Sequence, residues 1–138
     1  MSTATPTAPP PQPAPATDVH TDHRSPISVS SLSQVEKLTG ALNYKAWADN
    51  VQSILMMYDY WPIVKGTELR PGNDDRVGQR VWDRNDDRII GFIRLLVSST
   101  IRYSLTSLNT SKRIWSSLES SYGSAGDFND FLAFKSLT

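Results

Sequence analysis

Trp47, Val51, Ile54, Leu55 and Tyr58 recur at steps of four, three, one and three, which places all five on one face of an α-helix. No stretch of the chain alternates apolar and polar residues at every second position, so no strand pattern competes. A chain patterned this way must bury its apolar stripes by packing helix on helix, and the expected fold class is all-α. The spacing predicts a first helix over residues 44–60. Asn43 is read as its N-cap, because a side-chain oxygen there can accept from an unpaired amide of the first turn. Pro62 cannot continue a helix and biases Trp61 away from helical geometry, so the helix is expected to end near Tyr60.

Residues 62–75 read as a connection, since Gly66, Pro71, Gly72, Asn73 and Asp74 are turn formers. Asp74 or Asp75 then caps a second helix over residues 75–98, which carries Val77, Val81, Trp82, Ile89, Ile90, Ile93, Leu96 and Val97. Ser98-Ser99-Thr100 breaks it, and Ile101 to Leu105 form a further short turn of helix. Thr110 or Asn109 caps another helix whose face is Ile114, Trp115, Leu118 and Tyr122. Gly123 is expected to end that helix in the left-handed conformation. A last apolar segment over residues 126–138, with Phe128, Phe131, Leu132 and Phe134, reads as the start of a truncated helix.

Residues 1–30 differ from all of this. They are rich in Pro, Thr, Ser and Ala, run through Pro9-Pro10-Pro11, and hold no large apolar residue between Met1 and Val19. Such a segment buries too little surface to offset the entropy of ordering it, so it is expected to be a disordered tail before a helical body over residues 31–125. It lacks the basic start and apolar stretch of a secretory signal, and no stretch approaches a membrane span, so a cytoplasmic protein without membrane contact is expected. Cysteine is absent, which removes disulfides and thiolate metal sites. The chain has 14 Lys and Arg against 14 Asp and Glu, a balance that gives no net pull toward phosphate backbones.

The four tryptophans fall in an ordered frame. It opens on Leu38, Gly40, Asn43, Tyr44 and Trp47, continues through Trp61, Val64 and Gly66, then Trp82 and Asp86, and closes on Thr110, Lys112, Trp115, Leu118, Tyr122 and Gly123. This frame resembles the N-terminal Gag region of copia-type LTR retrotransposons, a family related to retroviral capsid proteins. The resemblance covers roughly residues 36–124. It departs in one extra residue between Gly40 and Asn43, and in Ser111 where the family usually has Ala.

The resemblance implies a small orthogonal helical bundle, the first lobe of a capsid-like protein. It also implies a structural rather than enzymatic role: self-association into homo-oligomeric particles that package element RNA. RNA would be held mainly by regions outside this chain, such as a zinc knuckle, and neither a cofactor nor a small-molecule substrate is expected. The alternatives are a domesticated Gag-derived module that binds a protein or peptide in a groove, and an RNA-binding module.

Weighed residue by residue, Trp47, Trp82 and Trp115 read as core anchors, and Trp61, which follows a helix end, as the one expected to be partly exposed. Arg76, Arg80, Arg84 and Arg88, four residues apart, form a stripe on one face of the second helix. The stripe could contact RNA or a neighbouring subunit. The simpler reading is a solvated face paired within its own helix to Asp83, Asp86 and Asp87. Asp74, Asp75, Asp86 and Asp87 lack the Gly-bounded acidic loop of a cation site, and His20 and His23 have no third ligand, so no metal is expected. The Ser-rich stretches have no histidine nearby, and no catalytic residue is assigned.

Overall fold

A computed structural model describes residues 22–123. The expectations for residues 1–21 and 126–138 lie outside those residues. Within them the protein is all-α: helices Tyr44–Met57 (α1), Trp61–Lys65 (α2), Arg76–Leu95 (α3), Ser99–Ser104 (α4) and Ser111–Leu118 (α5). Short 3-10 turns cover Val29–Gln34 and Ala41–Asn43, and a π-helical turn, Glu119–Gly123, continues α5. No described helix is long and apolar enough to cross a membrane.

α1 turns Tyr44, Trp47, Val51 and Leu55 inward, the face its spacing predicts. It stops at Met57 rather than at Tyr60, and Pro62 is not the cause. Asp59 takes a left-handed conformation (φ 69), the Asp59 amide donates to Met56 O, and the Tyr60 amide reaches back to Leu55 O. That pair of bonds satisfies carbonyls the helix end would otherwise leave open. Pro62 instead lies in the first turn of α2, where a missing N–H costs nothing. Part of the expected connection is therefore helical. α2 ends at Gly66, with φ 93, and a Cβ built there would stand 2.8 Å from Lys112 Nζ on α5. The conformation demands glycine at this position, whereas the Lys112 side chain could swing aside.

Two expected caps hold. Asp75 accepts from the Gly78 amide at 2.9 Å to start α3, and Thr110 accepts from the Arg113 amide at 3.2 Å to start α5. Ser98 caps α4 in the same way, so the Ser-Ser-Thr stretch ends one helix and opens the next. α3 stops at Leu95, short of residue 98, and Leu96 and Val97 are buried in the corner beyond it. Asn43 makes no cap bond. Its Oδ1 accepts from the amides of Thr39 and Gly40 and its Nδ2 donates to Lys37 O, so it ties the incoming loop instead. Gly123 does not adopt a positive φ and lies within the π turn, while Gly40 is simply extended.

The core joins α1, α2, α3, α4 and α5 through Trp47, Val51, Leu55, Ile63, Ile89, Ile93, Ile101, Ile114 and Leu118, with Leu38 and Leu105 from the loops. Burying side chains of this size contributes roughly 1.5–3 kcal/mol each. Trp47 and Trp115 stack at 5.7 Å, and Trp61 meets Trp115 edge-on at 5.2 Å. Trp82 is not part of that stack. It is partly buried and donates its indole N–H to Glu68 O at 3.0 Å, pinning the loop ahead of α3. Val77 points outward, so the first turn of α3 does not share its apolar face.

Candidate interaction surface

The packed body begins before residue 31. Residues 22–28 have no regular secondary structure, yet Arg24 is as buried as a core residue. Its Nε donates to Asp59 O at 2.6 Å, its Nη2 bonds Glu68 Oε1, and its guanidinium lies 5.8 Å from the centre of the Tyr60 ring. The left-handed turn that ends α1 aims the Asp59 carbonyl at this spot, where a cation also meets the negative end of the helix. Arg24 therefore sits in a cage of acceptor, carboxylate and ring, and the acceptor wall depends on the local conformation just described.

Asp22 grips the other side. It accepts from Arg88 Nη1 at 3.0 Å and Asn85 Nδ2 at 3.4 Å, and Arg84 Nη2 lies 3.6 Å away. Burial alone would raise the Asp22 pKa. The Arg24 amide, Asn85 and the two guanidiniums outweigh it and hold the carboxyl below its usual range. Tyr60 Oη donates to Ser25 O at 2.9 Å, and the Ser28 amide donates to Tyr58 Oη at 3.4 Å. His23 approaches Asp59 at 3.2 Å in an exposed pair, so it belongs to this strap rather than to a free tail.

The arginine stripe is thus divided. Arg84 and Arg88 are engaged by Asp22, not by acids of their own helix. Asp83 is taken by Arg70 from the preceding loop through two bonds of 2.9 Å. Asp86 turns inward and accepts from the backbone and hydroxyl of Ser111, which anchors the first turn of α5. Its pKa is raised, chiefly by burial and further by Asp87 and Asp83, against the lowering effect of the Ser111 bonds. The expected pairing within α3 therefore fails: none of the ion pairs described joins two residues of this helix. Arg76 and Arg80 face solvent beside Arg70, Asn73, Gln79 and Asp83, around a cleft of about 430 Å3. Gln79 holds the rim of that cleft by donating to Pro71 O and Asn73 Oδ1.

The framework residues fall into three groups. Leu38, Tyr44, Trp47, Trp115 and Leu118 are buried together, and Trp61, Trp82 and Tyr122 pack partly buried against them. Gly40, Asn43, Gly66 and Gly123 shape the backbone around that core. Asp22, Arg24, Tyr60, Glu68 and Asn85 were not anticipated as a group. The available signal was the charged run Asp22-His23-Arg24 at the end of an otherwise charge-poor segment. Among the described residues no group of His, Asp and Glu has the arrangement of a metal site. Tyr44 has its pKa pushed up to about 12 by burial and by the charge of Glu119, so its phenol stays protonated near neutral pH. Comparison with protein-family models, with curated proteins and with solved structures finds no match to this chain.

Proposed function

We propose that this protein is a structural, capsid-like lobe of the copia-type Gag kind, which works by binding further copies of itself. The observation that carries the reading is what the framework residues do. Leu38, Trp47, Trp61, Trp115 and Leu118 go into one continuous core, which leaves function to the outer surface. On that surface Leu42, Met57, Leu69 and Tyr103 stay in water, each at least 75% exposed. Scattered singly, such residues are ordinary; where they gather into a patch they offer a surface for a second copy. Many weak, repeated contacts of this sort are enough to close a symmetric shell.

Sedimentation velocity over rising protein concentration tests the proposal. The expected outcome is a sedimentation coefficient that climbs with concentration, with particles visible by electron microscopy at the high end. A chain that remains monomeric up to about 1 mM, where even contacts near −4 kcal/mol would register, overturns it.

A second reading, contact with RNA, is favoured by the cleft that gathers Arg70, Arg76 and Arg80 after Asp22 has engaged Arg84 and Arg88. Filter binding at low salt, with wild type against the Arg76→Ala, Arg80→Ala double variant, decides it. Retention that is lost in the variant and falls steeply with salt supports RNA contact, and no retention by wild type removes it.

A further inference from the structure

We propose that the Asp22–Ser28 strap is an exchangeable arm, and that the surface beneath it also seats the same segment of a second copy. The inference rests on the self-association reading and names the contact that would carry it. Three observations converge on it.

The end of the strap is held tightly and by polar chemistry specific to its sequence. Arg24 has a side chain only 4% exposed, and it fits Asp59 O, Glu68 and the Tyr60 ring. Asp22 fits Arg88, Asn85 and Arg84. The seat is therefore complementary to an Asp-x-Arg segment in one direction, with the anionic and cationic positions in fixed order.

The segment joining the strap to the body is held loosely. The 3-10 turn Val29–Gln34 contains no buried residue, and Val29 is 80% exposed. A groove of about 240 Å3 opens where Ile27, Val29 and Leu32 meet Phe92 and Leu95. A 3-10 turn is a weakly bonded form of helix, and unwinding six residues lengthens this connection from about 12 Å to about 20 Å. Straightening it releases Leu32, the turn's one residue packed against the core.

The far side of the hinge is fixed. Val35 and Leu38 are buried, and Leu38 exchanges backbone hydrogen bonds with Leu96 and Ser98 at 2.9 Å each. A tightly recognised end, a loose hinge and a fixed root are the parts that segment exchange requires. Every strap contact made within one chain can be remade between two, so the exchanged state loses little beyond the entropy of association.

The test uses full-length chains, which contain no native cysteine. His23 and Asp59 are 3.2 Å apart across the strap and seat, with side chains 64% and 65% exposed; because Asp59 has φ 69, hydrogen exchange on the Asp59→Cys chain alone first checks that its own strap stays seated. The single variants His23→Cys and Asp59→Cys are mixed, incubated and treated with a short bismaleimide. The expected result is a crosslinked heterodimer in clear excess over the dimers formed by either variant alone. Adding Arg24→Ala to the His23→Cys chain should leave the final yield nearly unchanged but bring it on about tenfold faster, because the lost charge-assisted hydrogen bond weakens closed and exchanged forms alike and eases release of the strap. Asp22→Ala, which leaves Arg24 in place, should speed the exchange as well, and circular dichroism checks that both chains keep their helices.

Heterodimer no greater than the single-variant background overturns the proposal, and so does a heterodimer whose rate of appearance neither substitution changes. The two readings can fail separately. Chains that sediment as oligomers but give no heterodimer keep self-association and lose the arm. Chains that give the heterodimer but never exceed dimers keep the arm and lose the capsid-like shell.

Discussion

The tryptophan core and the N-terminal strap secure the same small body by opposite means. Around Trp47, Trp61 and Trp115 the contacts are apolar and broad, with rings 5.2 and 5.7 Å apart and a few kcal/mol gained per buried side chain. Around Arg24 and Asp22 the contacts are directional, each group has a named acceptor or donor, and the net gain per bond is smaller. Apolar burial tolerates small shifts and stabilises the whole domain. Polar anchoring demands position and secures one segment, so the strap can open while the core stays closed.

Substitution tests this contrast most sharply at the core. Trp47→Ala should destabilise the protein by about 3–5 kcal/mol, because it removes the ring stack and the indole bond to Leu96 O together. Urea unfolding followed by circular dichroism would show a single transition at a much lower midpoint. Arg24→Ala should cost less, about 2 kcal/mol, since Glu68 can regain water once its partner is gone. Its signature should be local: hydrogen exchange should quicken at residues 22–28 while the amides of α1 and α5 stay protected. If Arg24→Ala instead exposes α1 as fully as Trp47→Ala does, the strap belongs to the core and the distinction fails.

The smallest effect is a matter of sign in the response to acid. Asp86 has a raised pKa in the folded protein, so the fold binds its proton more tightly than the unfolded chain does. Stability should therefore rise as the pH falls from neutral toward 3.8, the ordinary value for the group. Asp22 and Asp83 have lowered pKa values, so their contributions are present above 3.8 and are lost as the pH falls through their folded values. Melting temperature plotted against pH should pass through a mildly acidic maximum. Asp86→Asn should flatten the rise on the neutral side, and Asp22→Asn should soften the fall on the acid side. A wild-type curve that declines steadily from neutral pH contradicts the assignment for Asp86.

The same contrast explains what could be read from the chain beforehand. The period of Trp47, Val51 and Leu55 follows from burial and is visible in a single stretch, as is the face of Ile114, Trp115 and Leu118. Caps such as Asp75 and Thr110 bond within three residues and are legible for that reason. The strap depends on partners 30 to 66 positions away, and no local pattern announces them. The Asn43 prediction failed because two loop amides and Lys37 O lay within reach of its side chain. The stop before Pro62 was placed too late because Asp59 adopts a conformation more often given to glycine.

The junction at Leu96 has a consequence for the order in which the chain is made. Its carbonyl accepts both the Leu38 amide and the Trp47 indole, and the latter partner lies 49 positions earlier. Helix α1 can coil as soon as it leaves the ribosome, but Trp47 has nothing to close upon until the corner after α3 has also emerged. At 5–20 residues per second that wait lasts about 2–10 s, a long exposure for a large apolar face. The interval is when a nascent copy is most open to chaperones, or to another nascent copy growing beside it on the same message.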